Sequence, residues 1–425
     1  MAGRRRAPAE DRSIRGSFDW LLVLWFGLGM VVLIEPAPFD LLAVILFPLG
    51  LLTRRLEIPK ASGFALACVA VFVATNVISL LFCVAVTRGV GYVGVTVYVL
   101  ALWLFTLGLV GKHGERMVRV IMIGWAGGAV ITTVLSVASY FGYLPIYELI
   151  RTLPIYDILS MSGRVHGFFK DANVYGAALI PPALWAAAHL VGLERGHRPL
   201  WAMTLIVCAV GVLLSYSRGA WISFGLSLVS FFGLRMIGVR SHRARVMMLF
   251  VLPVAAALLT VALVRLTAVD AVEQMLEIRV GMQSYDENRF AIQRDAVEVA
   301  MRSPLGIGPG QTELVVTRAT HQAYLRTFVE NGYLGGLAFT ALVLASLARS
   351  TWLALAAHDT RMQVVMAMVA ASLFGHAVES FVIDTVHWRH FWVLLAIAWA
   401  PVGGWPGAQS PGPAGGRASS TRSAA

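Results

Sequence analysis

The sequence predicts an all-α integral membrane protein with about 12 transmembrane helices and a large outer loop between spans 9 and 10. Of the 425 residues, 58% are hydrophobic and only 13% are charged, with a mean hydropathy of +0.74. Because soluble domains average about 25% charged residues, this composition excludes an ordinary soluble domain. The apolar residues also fall into runs of about 20, the length that crosses a bilayer.

The apolar runs and the polar stretches between them define the predicted organisation. The predicted units are a basic cytoplasmic tail at 1–18, a membrane domain at 19–264 with an outer loop at 143–172, a large extracytoplasmic loop with an amphipathic helix at 265–322, a second membrane domain at 323–404 and a disordered cytoplasmic tail at 405–425. The spans are expected near 19–35, 39–52, 61–87, 90–111, 118–142, 173–192, 199–216, 218–238, 246–264, 323–356, 362–383 and 390–404. The run at 39–52 is short and lies between prolines.

The basic residues predict the orientation of the chain. The net charge of +11 would suit a nucleic-acid partner, but the cations lie in short connections between apolar runs, so we predict none. With the N-terminus inside, the inner connections hold most of the lysines and arginines. The short outer loops hold Arg88, Arg218 and Arg389. Because cytoplasmic loops carry an excess of lysine and arginine, both termini are expected in the cytoplasm.

The polar stretch from Asp286 to Gly336 differs from the apolar runs around it. Asp286 or Asn288 can cap a helix with apolar residues at helical spacing. Pro304 ends that helix, and the GIGPG sequence that follows predicts a tight turn. Such an insert between spans is expected to lie over the membrane and to carry chemistry or recognition.

Under this orientation several cationic groups lie on the outer face, namely Arg164, Lys170, Arg218, Arg289 and His321. A guanidinium suits a diphosphate because its planar fork gives paired hydrogen bonds, and a histidine can accept a proton near neutral pH. Each also has a structural explanation, as an interfacial anchor, a loop contact, a helix-surface ion pair or a capping histidine. Their occurrence together on one face favours a functional site.

The residues in these segments resemble the O-antigen ligase and polymerase superfamily over about residues 160 to 340. The motifs that carry the resemblance are RVHGFFKDANVYG, SYSRGAW, ENRFAIQRDAVEVAMRSPLGIGPGQ and THQAYLRTFVENGYLGG. Gln322 is a departure, because the family often has Asn after the histidine. The resemblance implies a metal-independent enzyme of the bacterial inner membrane. It would transfer a glycan from a polyprenyl diphosphate carrier, with no cofactor, to a glycan or glycolipid acceptor.

The resemblance also implies roles for individual residues. Arg218 and Arg289 match the positions that bind the diphosphate, and His321 matches the base that activates the acceptor. The remaining predicted substrate-binding residues are Arg164, Lys170, Tyr324 and Glu330. Whether the enzyme is a ligase or a polymerase stays open.

Three further hypotheses follow from other features of the sequence. His387 and His390 have a spacing that a metal can use, although paired histidines in an aromatic turn are more often structural. His376 and Glu379 lie inside the eleventh span, where ionisable groups are candidates for a functional cavity. A transporter of lipid-linked glycans would also need outer cations. However, transporters show internal repeats, and the chain shows none, so an enzyme is favoured.

Overall fold

The fold is a bundle of α-helices, described here from a computed structural model for residues 16–152, 163–193, 196–238, 284–316, 320–357 and 359–401. The helices are α1 Gly16–Leu28, α2 Pro38–Leu52, α3 Gly63–Ser79, α4 Val86–His113, α5 Glu115–Tyr140, α6 Ile146–Arg151, α7 Ala172–Ala178, α8 Ile180–Leu190, α9 Arg198–Leu214, α10 Arg218–Gly238, α11 Ser284–Arg302, α12 Thr312–Val315, α13 Ala323–Ala356, α14 Thr360–Glu379 and α15 Arg389–Ile397. Two-residue strands, β1 Val31–Val32 and β2 Phe168–Phe169, pair in parallel.

Six segments within these ranges are long and apolar enough to cross a membrane: Lys60–Phe82, α4, α5, α10, α13 and α14. Helices α1, α2 and α9 are apolar but shorter. The chain is therefore a multi-pass α-helical membrane protein, as the sequence predicts. The predicted ninth span at 246–264 lies outside the described residues, so the total of twelve stays a prediction.

The predicted span at 173–192 is two helices, α7 and α8, which meet at Leu179. Pro181 and Pro182 occupy the first turn of α8, where their missing N–H groups are tolerated. Elsewhere the helices pack closely through small residues. Gly124 and Gly128 of α5 lie against the backbone of α1, where a Cβ would come within 2.3 Å of a carbonyl oxygen.

Loop contacts define one end of the bundle, here called the insert end. Val31 and Val32 pair with β2, Lys170 contacts Glu35, and Val165 donates a backbone hydrogen bond to Leu214. Ala85 before α4 bonds Gln311 of the segment before α13, and Asp384 before α15 binds Arg326 of α13. Arg389 lies 4.0 Å from Glu35 and joins these connections to the first group. All the described connections that the sequence predicts to be outer therefore lie at the same end.

The segment after α11 docks into a kink in α13. Gly332 has φ +71°, which breaks the helical ladder and frees the carbonyls before it. Ile307 N–H donates to Val329 O at 2.9 Å, and Gly308 N–H donates to Glu330 O at 3.0 Å. A Cβ on Gly306 would lie 2.3 Å from Glu330 O, so only glycine fits this turn.

Candidate functional site

Arg164 holds the turn that precedes Arg218. Its Nε donates to Ser215 O at 2.7 Å, and its Nη2 donates to Asn173 Oδ1 at 2.8 Å. Only 9% of Arg164 is exposed. Arg218 is the first residue of α10, directly after this turn. Arg164 thus has internal partners that fix the connection between α9 and α10, and its predicted contact with substrate stays a prediction.

The turn at the end of α14 links Arg218 to His321. A Cβ on Gly219 would lie 3.3 Å from Glu379 Oε1, so the start of α10 contacts this turn. Ala323 N–H donates to Ser380 O at 2.9 Å, and Ala323 begins α13 two residues after His321. The turn therefore brings the start of α10 and the start of α13 together.

His321 itself is exposed and adopts a left-handed backbone conformation, with φ +49°. Left-handed geometry is uncommon for a residue other than glycine, and it often occurs at functional sites. Helix α11 approaches the same point, because Gln293 Nε2 donates to Thr320 O at 3.4 Å. Arg289 lies on α11 one helical turn before Gln293. The structure thus brings the chain positions of Arg218, Arg289 and His321 to one region of the insert end.

Tyr324 and Glu330 have partners within the protein. Tyr324 donates its hydroxyl to Ala377 O at 3.0 Å and packs against Phe381. Glu330 is 4% exposed, and its Oε1 accepts a 2.7 Å hydrogen bond from Thr312 Oγ1. These contacts attach α13 to α14 and to the docked segment. A direct role of either side chain in substrate binding stays a prediction.

Residues 203–340 match the family model described as Wzy_C, O-antigen ligase. This segment belongs to the O-antigen ligase superfamily. The match confirms the resemblance predicted from the sequence motifs, and no curated protein matches the chain. The O-antigen ligase segment includes Arg218, Arg289 and His321, together with the docked turn and the kinked part of α13.

Arg164 and Lys170 precede the O-antigen ligase segment, and each lines a cavity. Lys170 Nζ is 3.1 Å from Glu35 Oε2 and lines a cavity of about 240 Å³ between α1, α5, α7 and α15. Arg164 and His166 line a second cavity of about 400 Å³ with residues of the 139–148 region. Burial lowers the pKa of His166 to about 4, so its ring is neutral at physiological pH.

Arg326 is a central residue of the O-antigen ligase segment that the sequence-based prediction missed. Its guanidinium forms an ion pair with Asp384, lies 3.1 Å from Glu330 Oε1 and covers the ring of Tyr92 at 5.0 Å. It is 8% exposed. The sequence feature that could have predicted its role is an arginine and a glutamate four residues apart in an apolar run. This spacing places both side chains on one helix face.

The paired histidines also have defined surroundings. His387 Nε2 lies 3.0 Å from Thr96 Oγ1, and burial lowers the pKa of His387 to about 4. His390 lies 5.2 Å, ring to ring, from His376. Among the described residues, no group of three histidine, cysteine or acidic side chains is arranged to hold a metal ion.

Proposed function

We propose that the protein is a glycan ligase or polymerase that acts at the insert end. It transfers a glycan from a polyprenyl diphosphate carrier to an acceptor hydroxyl during synthesis of cell-surface polysaccharide. The observation that carries the proposal is the convergence of three chain positions, Arg218, Arg289 and His321. They come from separate parts of the O-antigen ligase segment and meet beside the turn after α14.

The proposed chemistry needs charge neutralisation and one proton acceptor. The acceptor oxygen attacks the anomeric carbon of the donor, and the bond from that carbon to the phosphate oxygen breaks. The electron pair leaves on the diphosphate, where Arg218 and Arg289 would stabilise the developing charge. His321, which is exposed at the start of α13, would accept the hydroxyl proton. A diphosphate neutralised in this way is a good leaving group without a bound metal.

Single substitutions test these roles in purified full-length protein, with a lipid-linked glycan as donor. We expect Arg218→Ala and Arg289→Ala to lower transfer at least 100-fold. Lysine should rescue poorly, because it lacks the paired-donor geometry. His321→Ala should abolish transfer while the donor still binds. Full activity in excess chelator would support metal independence.

Matched controls separate these effects from general damage. Arg302 lies on α11 like Arg289, but its side chain is 77% exposed and pairs with Glu298. His197 is exposed at the start of α9, away from the insert end. Arg302→Ala and His197→Ala should keep wild-type turnover. A folded His321→Ala protein with wild-type turnover would refute the assignment of the base.

Deletion of the gene distinguishes the two reactions. We propose that the acceptor is a lipid-linked or growing glycan. Single repeats that accumulate on the carrier would identify a polymerase. Full-length polymer that remains on the carrier would identify a ligase. Unchanged surface glycan would count against both.

The proposed location is the bacterial inner membrane, with the insert end outside the cytoplasm and both termini inside. The support for this orientation is the distribution of basic residues between the two ends of the bundle. Arg116 pairs with Asp19, and Arg361 lies 3.6 Å from Glu115, both at the end opposite the insert. Basic residues of this kind are typical of the cytoplasmic side.

A further inference from the structure

The cavity beside Lys170 combines aromatic and polar walls. Its volume of about 240 Å³ is slightly below the roughly 300–1,000 Å³ of typical small-molecule pockets, so it fits one small unit. The aromatic side chains that line it are Phe26, Phe39, Trp125, Phe169 and Trp388, and the ionisable ones are Glu35, Lys170, Asp171, Asp384, His387, Arg389 and His390. Pockets that bind small polar ligands have this mixture of apolar faces and a few placed polar groups.

The cations of the cavity already have carboxylate partners. Lys170 lies 3.1 Å from Glu35, and Arg389 makes two hydrogen bonds to Asp40, at 2.7 Å and 2.6 Å. Asp171 adds a further carboxylate to the lining, and Asp384 is paired with Arg326. The cavity therefore has no excess of positive charge among the described residues, and a diphosphate would be repelled. A neutral ligand with several hydroxyl groups fits this distribution.

His390 lines the cavity and contains a buried polar atom without a partner in the described part of the chain. His390 is 9% exposed, and its Nε2 is buried with no hydrogen-bond partner among the described residues. Its ring lies 5.1 Å from that of Trp388 and 6.2 Å from that of Trp125. A buried polar atom without a partner costs about 1–3 kcal/mol, so a ligand hydroxyl that reaches Nε2 would remove this cost.

The cavity adjoins the proposed transfer site through two short links. Asp171 caps α7 by accepting from Asn173 N–H at 2.8 Å, and Asn173 in turn binds Arg164. On the other side Asp384 binds Arg326, which lies five residues after His321. The cavity is thus linked through Asp171 to the turn before α10 and through Asp384 to the first turns of α13.

We propose that this cavity binds one neutral sugar unit of the acceptor. The inference rests on the proposed transfer reaction, because that reaction requires an acceptor saccharide at this end of the protein. A donor sugar in this cavity would bring its own diphosphate close to the carboxylates of the lining, which would repel it. The acceptor carries no such charge beside its reacting sugar.

Steady-state transfer and saccharide binding by the full-length protein in nanodiscs test the proposal. The binding probe is the saccharide that mild acid releases from the host's own surface polysaccharide. Its binding is measured by saturation-transfer NMR. Val174→Phe fills the cavity, and His390→Phe removes the polar atom at nearly constant shape. The control is Val229→Phe, where Val229 is 63% exposed on α10. His390→Gln, which keeps hydrogen-bonding capacity, is the conservative variant for comparison with His390→Phe.

Val174→Phe and His390→Phe should raise the KM for acceptor at least tenfold and abolish the NMR signal. The KM for donor and the kcat at saturating acceptor should change less than threefold. Val229→Phe should stay near wild type, and His390→Gln should raise the acceptor KM less than His390→Phe does. His390→Phe should fold, because it removes a buried polar atom without a partner. A rise in the donor KM alone would assign the cavity to the donor sugar, and an unchanged acceptor KM in both variants would also overturn the proposal.

The binding arm keeps this test separate from the proposed function. If the wild type transfers nothing from a polyprenyl diphosphate donor, the proposed reaction fails. Saccharide binding that disappears in Val174→Phe would still support the cavity as a sugar site. A wild-type protein that transfers glycan while neither variant alters saccharide binding would refute the cavity alone.

Discussion

Glu330→Ala should weaken the attachment of the docked segment to α13. The Glu330 carboxylate accepts a hydrogen bond from Thr312 and lies 3.1 Å from Arg326 Nε, with 4% of the residue exposed. The substitution leaves a buried hydroxyl and a buried guanidinium short of a partner. The carbonyl of residue 330, which accepts from Gly308 N–H, is retained in the variant. The turn can therefore still dock, but with lower stability.

The magnitude follows from the two lost interactions. Breaking a buried ion pair costs about 3–5 kcal/mol when the remaining charge has no other partner. Arg326 keeps Asp384, so the lower part of that range applies. Loss of a hydrogen bond to a charged group, about 1.5–3 kcal/mol, partly overlaps with this cost. We expect the docked turn to open more easily by about 3 kcal/mol, which is roughly a 100-fold change in the opening equilibrium.

Hydrogen exchange measures this opening directly. The amides of Ile307 and Gly308 should exchange about 100-fold faster in Glu330→Ala, whereas peptides from α5 should be unchanged. Glu330→Gln keeps an acceptor for Thr312 and should produce a smaller effect. Transfer activity should fall together with protection, because the segment joins α11 to the start of α13. Wild-type exchange at the turn in Glu330→Ala would refute the anchoring role.

Three further predictions address orientation, pH and packing. In a background without native cysteines, a cysteine at Leu314, which is 48% exposed, should react with an impermeant thiol reagent in intact cells, and one at the exposed Lys60 should react only after lysis. The reverse pattern would overturn the orientation. Because the pKa of His166 is lowered from 6.5 to about 4, the unfolded chain binds a proton that the folded one excludes, and stability should fall as pH drops through this window. His166→Phe should show a smaller fall in denaturation measurements; an equal fall would contradict the assignment. Arg389→Lys should lower the melting temperature by several degrees, since a single ammonium cannot reproduce the two hydrogen bonds to Asp40.

The features that depend on local sequence could be predicted from the chain alone. Apolar runs of membrane length identify helices because every backbone group must be paired within the segment in a bilayer. The observed helices Arg218–Gly238 and Ala323–Ala356 have the bounds of the predicted spans. The O-antigen ligase motifs are likewise local, and the family match confirms the resemblance that they carry.

The motifs did not reveal the roles that tertiary contacts give to their residues. Arg164 appeared as one of several outer cations, whereas the structure gives its guanidinium the carbonyl of Ser215, 51 positions away. Glu330 was expected at the substrate, but its partners include Thr312 of the docked segment. Charge and position along the chain indicated the face on which these side chains lie, but not their partners.

The amino-acid sequence by itself determined the membrane class, the approximate positions of most helices and the resemblance of residues 203–340 to the O-antigen ligase superfamily, because hydropathy and motifs are properties of neighbouring residues. Only the tertiary structure decided that α13 kinks at Gly332 to receive the turn, and that Glu35, Lys170, Asp384 and His390 line one cavity. The physical reason is that these arrangements depend on backbone contacts and charge pairs between distant segments. Glu35 and Lys170 are 135 residues apart, and the sequence around neither residue predicts their contact.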